Sequence, residues 1–218
     1  MNAVIVVAGG SGRRMGGVVP KQYLDLKGKA VILHTLEKFY LFDPGIRIVL
    51  VLAENHQKFW EEIAPTSRVA KACQVVTGGE NRYNSVWNGL QQIPDDCLVG
   101  IHDAVRPLVS LETIERTYAA AAETGSGIPV VDMEESVRLI SPEGSENLER
   151  SRLRKVQTPQ VFRSREIRAA YEKGFAPSVT DDASVYQAFF GKLTLVGGNP
   201  ENIKLTTASD LKLASLII

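Results

Sequence analysis

Short apolar runs alternate along this chain with segments in which apolar residues return at helical spacing. The runs cover residues 3–8, 46–53, 74–77, 98–102 and 127–131. Between them lie 31–42, where Ile32, Leu36, Phe39 and Tyr40 share a face, then 57–63, 82–92 and 111–123. An uninterrupted apolar run is a strand covered on both faces, as in a parallel sheet. Strands alternating with helices through right-handed crossovers predict a doubly wound, mostly parallel, Rossmann-like α/β sheet.

The rhythm fails from Asp132 to Lys155. This stretch is polar and carries a β-turn signal at residues 141–144. It predicts a β-arm at about 132–155 that projects from the sheet. The α/β pattern resumes at 164–173, 181–190, 193–196 and 209–218. With no repeat, low-complexity tract or linker, residues 1–218 read as a single domain with an arm.

Composition narrows the partners. A hydrophobic share of 44% is enough to build a buried core. Lys and Arg number 25 and Asp and Glu also number 25, so the chain has no electrostatic footprint for nucleic acid or an acidic membrane surface. Any phosphate binding must come from cations concentrated locally. The apolar N-terminus lacks a basic leader and breaks at Gly9 and Gly10, which reads as a buried first strand and not a signal peptide or membrane span. The two cysteines, Cys73 and Cys97, both begin apolar runs; they read as free thiols and point to the cytoplasm.

The first strand runs into Ala8-Gly9-Gly10-Ser11-Gly12-Arg13-Arg14-Met15 and then Pro20-Lys21. Glycines at this place let backbone N–H groups approach a phosphate chain. The spacing is that of neither a P-loop nor a dinucleotide fingerprint, since Arg13-Arg14-Met15 stands where a third glycine belongs. Glycines alone would equally make a structural turn. Arg13, Arg14 and Lys21 beside them suit a triphosphate, because guanidinium and ammonium groups can share charge developing on a phosphoryl group.

The fourth strand ends in His102-Asp103-Ala104-Val105-Arg106-Pro107. A carboxylate at the carboxyl end of a central strand faces the ligand crevice and can hold Mg²⁺. An Asp103–Arg106 turn pair accounts for the same residues equally well. His102 reads as a packed strand-end residue. Near the C-terminus Lys204 follows the core-facing Ile203, so it points to the crevice or to solvent. Thr207 or Ser209 can cap the last helix, and Thr180-Asp181-Asp182-Ala183 reads first as another helix cap.

Together these segments, with Gly78 to Val86, Gln157 to Phe162, Thr180 to Ser184 and Asn202 to Lys204, resemble the 2-C-methyl-D-erythritol 4-phosphate cytidylyltransferase family. These are CTP-using enzymes of the non-mevalonate isoprenoid pathway, and the resemblance spans nearly the whole chain in order. It implies that Arg14, Lys21 and Lys204 are catalytic cations at the α-phosphate. It implies that Ala8, Gly9, Gly10, Ser11, Gly12 and Arg13 cradle the triphosphate, while Gly79, Arg82 and Ser85 frame the cytosine and ribose. Asp103 would serve the metal, Mg²⁺, or the substrate hydroxyls. Arg106 and Thr158 would serve the acceptor, with Ser136, Arg138 and Arg150 of the arm. Ser136 stands where the family more often has Thr, and the hydroxyl survives. The arm would interlock with a second subunit to make a homodimer with composite sites. Two readings compete: a ribitol-5-phosphate cytidylyltransferase, which shares most of these motifs, and a catalytically silent nucleotide-binding module.

Overall fold

A computed structural model describes residues 1–9, 19–174 and 180–218 of the chain. Strand β1 (Asn2–Ala8) is followed by a small hairpin of β2 (Asp25–Leu26) and β3 (Lys29–Ala30), then helix α1 (Val31–Phe42) and β4 (Arg47–Leu52). Next come α2 (Gln57–Ile63), α3 (Arg68–Ala72), β5 (Gln74–Thr77), α4 (Arg82–Leu90), β6 (Leu98–Asp103) and α5 (Leu111–Thr124). The chain continues through β7 (Ser126–Asp132), β8 (Val137–Ser141), β9 (Gly144–Leu148), β10 (Arg154–Val156) and β11 (Gln160–Arg163). It closes with α6 (Ser164–Glu172), α7 (Asp182–Phe190), β12 (Leu195–Gly197) and α8 (Ala208–Ile217).

The main sheet runs β10-β7-β11-β6-β1-β4-β5, with β12 pairing parallel to β7. Strands β5, β4, β1 and β6 are mutually parallel, whereas β11 lies antiparallel between β6 and β7. The sequence pattern predicted the parallel half and not β11. Its four residues follow Pro159 and are too short to show a period of their own.

The alternation of side chains along the strands builds two cores. In β1, Val4 and Val6 face the layer of α1 and α5, against Ile32, Leu36, Phe39, Ile114 and Tyr118. Ala3 and Ile5 face the layer of α4, α6 and α7, against Val86, Leu90, Ile167 and Tyr186. Helix starts are fixed by side-chain caps from Asn81, Ser110, Asp181 and Thr207. Thr207 and Asp210 form a full capping box on α8. Among the described residues no helix is long and apolar enough to cross a membrane.

From β1 the chain moves outward to β4 and β5, then crosses back through α4 to β6 on the other side of β1. The carboxyl ends of β1 and β6 therefore flank a topological switch point, where open α/β sheets bind ligands. Across it Val7 pairs with Asp103, and the Ala104 N–H donates to the Val7 carbonyl at 3.1 Å.

Among the described residues, strands β8 and β9 pair only with each other, as a hairpin turning through Pro142 and Glu143 with Gly144 at φ 140°. Most of its side chains are exposed. The turn falls where the sequence placed it.

Candidate active site

A cleft of about 260 Å³ opens at the switch point. Its floor is Val7 to Gly9 and Asp103 to Val105, its walls are Lys21 and the start of α4, and Lys204 reaches it from the C-terminal segment. Five segments of the chain thus meet at one place.

Asp103 lies at its centre and is 7% exposed. Arg106 Nε and Lys204 Nζ approach the same oxygen, Oδ2, at 3.0 and 3.1 Å. Burial works against the charged carboxylate, but Lys204, Arg82 and Arg106 outweigh it and hold the acid well below its ordinary range. The Asp103–Arg106 turn pair and the crevice-facing carboxylate are both present.

Behind it, the Thr158 hydroxyl accepts from the Asp103 N–H at 3.1 Å and donates to His102 Nδ1 at 3.0 Å. His102 Nε2–H then donates to the Arg106 carbonyl at 3.3 Å. Burial pushes the His102 imidazole down to about 3, which keeps it neutral in this arrangement. His102 is a packed strand-end residue, as the sequence suggested. Thr158 is 5% exposed and engaged on both sides, so within the chain it fixes the backbone of Asp103.

The entry to the glycine-rich loop is clamped. Gln22, 1% exposed, donates from Nε2 to the Ala8 carbonyl at 2.7 Å and contacts His56 Nδ1 at 3.0 Å. Gln22 belongs to the short 3-10 turn Lys21–Tyr23, so the same turn that grips Ala8 presents Lys21 to the cleft. Sequence reasoning gave Gln22 and His56 no role, since nothing in their spacing joins them to Ala8.

Helix α4 supplies the other wall. The Gly78 N–H donates to the Leu52 carbonyl at 2.7 Å, and the Gly79 N–H donates to Ser85 Oγ at 3.1 Å. Ser85 Oγ donates in turn to the Asn81 carbonyl at 2.8 Å. A Cβ on Gly79 would collide with Asn84 of the same helix, so this close approach requires glycine. Arg82 lines the cleft and forms a bidentate pair with Asp182, Nη1 to Oδ1 at 2.8 Å and Nη2 to Oδ2 at 2.6 Å. Burial alone would lower the Arg82 guanidinium, but the Asp182 carboxylate outweighs it and raises it further.

The C-terminal segment is tied to the end of β6. The Leu205 N–H donates to the Val105 carbonyl at 2.9 Å, and Arg106 Nη1 donates to the Asn202 carbonyl at 2.7 Å. Asn202 is fully buried and donates to the Thr158 carbonyl at 2.8 Å. Leu205 is buried in the core and Ile203 packs partly buried against the same cluster, while Lys204 between them lines the cleft.

Ala8, Gly9, Lys21, Arg82, Ser85, Asp103 and Lys204 line the cleft, with Gly79, Arg106 and Thr158 bonded to its walls. Gly10, Ser11, Gly12, Arg13 and Arg14 lie outside the described residues. Ser136, Arg138 and Arg150 are exposed and are not brought to the cleft of their own chain. Arg138 instead bonds Ser145 across the hairpin, and Arg150 Nη1 donates to the Glu134 carbonyl at 2.6 Å. Among the described residues no three His, Cys, Asp or Glu side chains come together as a metal cluster. A wider cleft of about 510 Å³ sits at the opposite end of β1 and β6, where Arg163 and Arg165 are matched by Asp95, Asp96 and Glu166.

Residues 2–218 match the family model described as 2-C-methyl-D-erythritol 4-phosphate cytidylyltransferase. A protein of that name from Phocaeicola vulgatus is 46% identical over 215 residues, covering 99% of this chain and 98% of its own. One from Lachnospira eligens is 34% identical over 225 residues, covering 100% and 99%. Among solved structures, the Francisella tularensis 2-C-methyl-D-erythritol 4-phosphate cytidylyltransferase superposes with a TM-score of 0.83 at 29% identity, covering 100% of both chains. The 4-diphosphocytidyl-2C-methyl-D-erythritol synthase of Anaerococcus prevotii gives 0.85 at 27% identity, covering 100% of this chain and 95% of that one.

Proposed function

The chain belongs to the 2-C-methyl-D-erythritol 4-phosphate cytidylyltransferase family, and from that premise we propose how its residues carry out the family reaction. The protein transfers CMP from CTP to 2-C-methyl-D-erythritol 4-phosphate, giving the CDP-methylerythritol product and pyrophosphate for isoprenoid synthesis. The observation that carries the residue-level reading is the cleft itself: one ionised, buried carboxylate among Lys21, Arg82, Arg106 and Lys204 beside the glycine-rich loop.

The acceptor's phosphate oxygen attacks the α-phosphorus of CTP in line, and pyrophosphate leaves on the opposite side. No covalent enzyme intermediate forms. A phosphate monoester, with its second pKa near ~6, is largely a dianion at neutral pH and is nucleophilic as it stands. The cleft supports a reaction without a general base. His102 and His56 both pack behind it, buried at 0% and 2% exposure, with both ring nitrogens of His102 and Nδ1 of His56 engaged. Catalysis rests on positioning and charge neutralisation. Lys21, Arg14 and Lys204 neutralise charge on the α-phosphate, and the backbone from Ala8 to Arg13 holds the triphosphate. Gly79, Arg82 and Ser85 frame the nucleoside.

Asp103 fits Mg²⁺, which takes one or two hard carboxylates together with substrate phosphates. Its acid is held ionised, and the cation would be shared with the triphosphate. Held by Asp103, a Mg²⁺ ion would supply charge neutralisation for the pyrophosphate leaving group.

We further read the working unit as a cytoplasmic homodimer. Ser136, Arg138 and Arg150 are surface residues in and beside the β8–β9 hairpin and do not line the cleft of their own chain, which supports their serving the acceptor in a partner's site. Cys73 and Cys97 are unpaired thiols, as suits a reducing compartment.

The test is pyrophosphate release with Mg²⁺, offering each of the four nucleoside triphosphates with either 2-C-methyl-D-erythritol 4-phosphate or ribitol 5-phosphate. Release with CTP and methylerythritol phosphate alone is expected. Release with ribitol phosphate alone would overturn the acceptor. Silence from a folded protein that binds CTP would leave a nucleotide-binding module.

A further inference from the structure

We propose that Asp182 is a positioning residue for the nucleotide, holding the Arg82 guanidinium in the orientation that meets the nucleoside part of CTP. The inference rests on the reading of Arg82 as a nucleotide contact.

Asp182 is fully buried, and three donors converge on its carboxylate: both Nη groups of Arg82, and the Tyr171 hydroxyl at 2.6 Å from Oδ1. Arg82 is partly open, its side chain 31% exposed where it borders the cleft. One edge of the guanidinium is therefore fixed from behind. Its Nε–H and the outer N–H of each Nη have no partner among the described residues and remain for a ligand.

The place from which Asp182 acts is rigid. Asp181 caps α7 by accepting from the Ser184 N–H at 3.0 Å. It also accepts from Gln160 Nε2 at 2.8 Å, while Gln160 Oε1 accepts from the Ala183 N–H at 2.7 Å. The first turn of α7 is thus pinned to β11 of the central sheet. Tyr171 is stacked on Tyr83 of α4, with ring centroids 4.4 Å apart.

Helix stability does not explain the pair. Arg82 is the first residue of α4, the end at which the helix dipole disfavours a cation. A buried ion pair is also a poor way to hold two helices together, since apolar residues of similar volume do so at least as well. Both costs are accounted for if the guanidinium is there for a ligand. Pairing with Asp182 cancels the charge of Arg82, so the outward donors suit neutral acceptors such as a base carbonyl or a ribose hydroxyl better than phosphate. Lys21 and Lys204 serve the phosphates.

The experiment compares Asp182→Asn, Arg82→Ala and the double variant in steady-state assays with CTP, with product inhibition by pyrophosphate as a second readout. Asp182→Asn is expected to raise KM for CTP by about tenfold with kcat kept within about twofold. Inhibition by pyrophosphate should be unchanged, and the substitution should add nothing in the Arg82→Ala background. A normal KM in Asp182→Asn beside a raised one in Arg82→Ala overturns the proposal, as do effects that add in the double variant. A normal KM in Arg82→Ala overturns the reading of Arg82 itself, and the proposal with it. If Asp182→Asn does not fold, Tyr171→Phe decides. It removes one of the three donors and leaves the ion pair, so KM should rise about threefold at unchanged kcat, and an unchanged KM overturns the proposal.

Discussion

Lys204 Nζ meets Asp103 Oδ2 at 3.1 Å, an ion pair added to the hydrogen bonds that tie the C-terminal segment to the carboxyl end of β6. Asp103 is buried, while the Lys204 side chain is 41% exposed. The lysine can therefore exchange its carboxylate partner for a substrate phosphate while Asp103 stays fixed by Thr158 and Arg106. Lys204→Ala is expected to lower kcat by about a hundredfold with the fold retained. A kcat near normal would remove Lys204 from the chemistry.

Asp103→Asn tests the carboxylate. The folded-state acid is depressed below its ordinary value of ~3.9, so it contributes stability above about pH 4 that is lost as pH falls further. The variant should melt lower than the parent at neutral pH, and the two melting temperatures should converge in acid. A constant gap down to about pH 2 would contradict the depressed acid.

His102 gives a pH dependence in a different window. Its folded-state value of about 3 lies below the unfolded value of ~6.5, so the unfolded chain takes up the proton first. Stability from this group is complete above about pH 6.5 and is lost as pH falls toward 3, by about 5 kcal/mol at most. Melting temperature should fall less steeply through that window in His102→Gln than in the parent. Parallel slopes would count against the buried neutral imidazole.

Gly79→Ala places a methyl against Asn84 at the start of α4. The helix must shift, at a cost of about 1–3 kcal/mol. Because Arg82 and Ser85 move with it, KM for CTP should rise while the response to the acceptor stays normal. Unchanged stability and KM would show that the glycine is not required for close approach.

The composite site is tested by mixing two inactive chains, Lys21→Ala and Arg150→Ala. If the hairpin serves the partner's cleft, refolding the two together should restore activity that neither has alone, because one site of the mixed dimer is intact. No recovery from a mixture shown to be dimeric would return Arg150 to a role within its own chain.

Much of this architecture is legible in the pattern of the chain. Runs such as residues 3–8 and 46–53 are apolar on both faces because helices cover both sides of the sheet, and that alternation predicts the parallel half. Strand β11 escapes because Gln160–Arg163 is too short for periodicity and pairs antiparallel to distant strands. The cations of the site are visible as residues but not as neighbours. Only the resemblance joined Lys204 to Lys21, and nothing local predicts that Gln22 and His56 grip Ala8. Asp181 and Asp182 show the limit most clearly. Both look like cap residues; Asp181 is one, whereas Asp182 carries its charge to Arg82 across the fold.

The central claim is that cations around the α-phosphate, and no general base, provide the catalysis. It is tested most directly by turnover of Lys21→Ala, alongside Arg14→Ala, at saturating CTP and 2-C-methyl-D-erythritol 4-phosphate, with circular dichroism to verify the fold. The account predicts kcat lower by roughly a hundredfold to a thousandfold, with KM for CTP changed little. Near-normal kcat in a folded Lys21→Ala protein would contradict it.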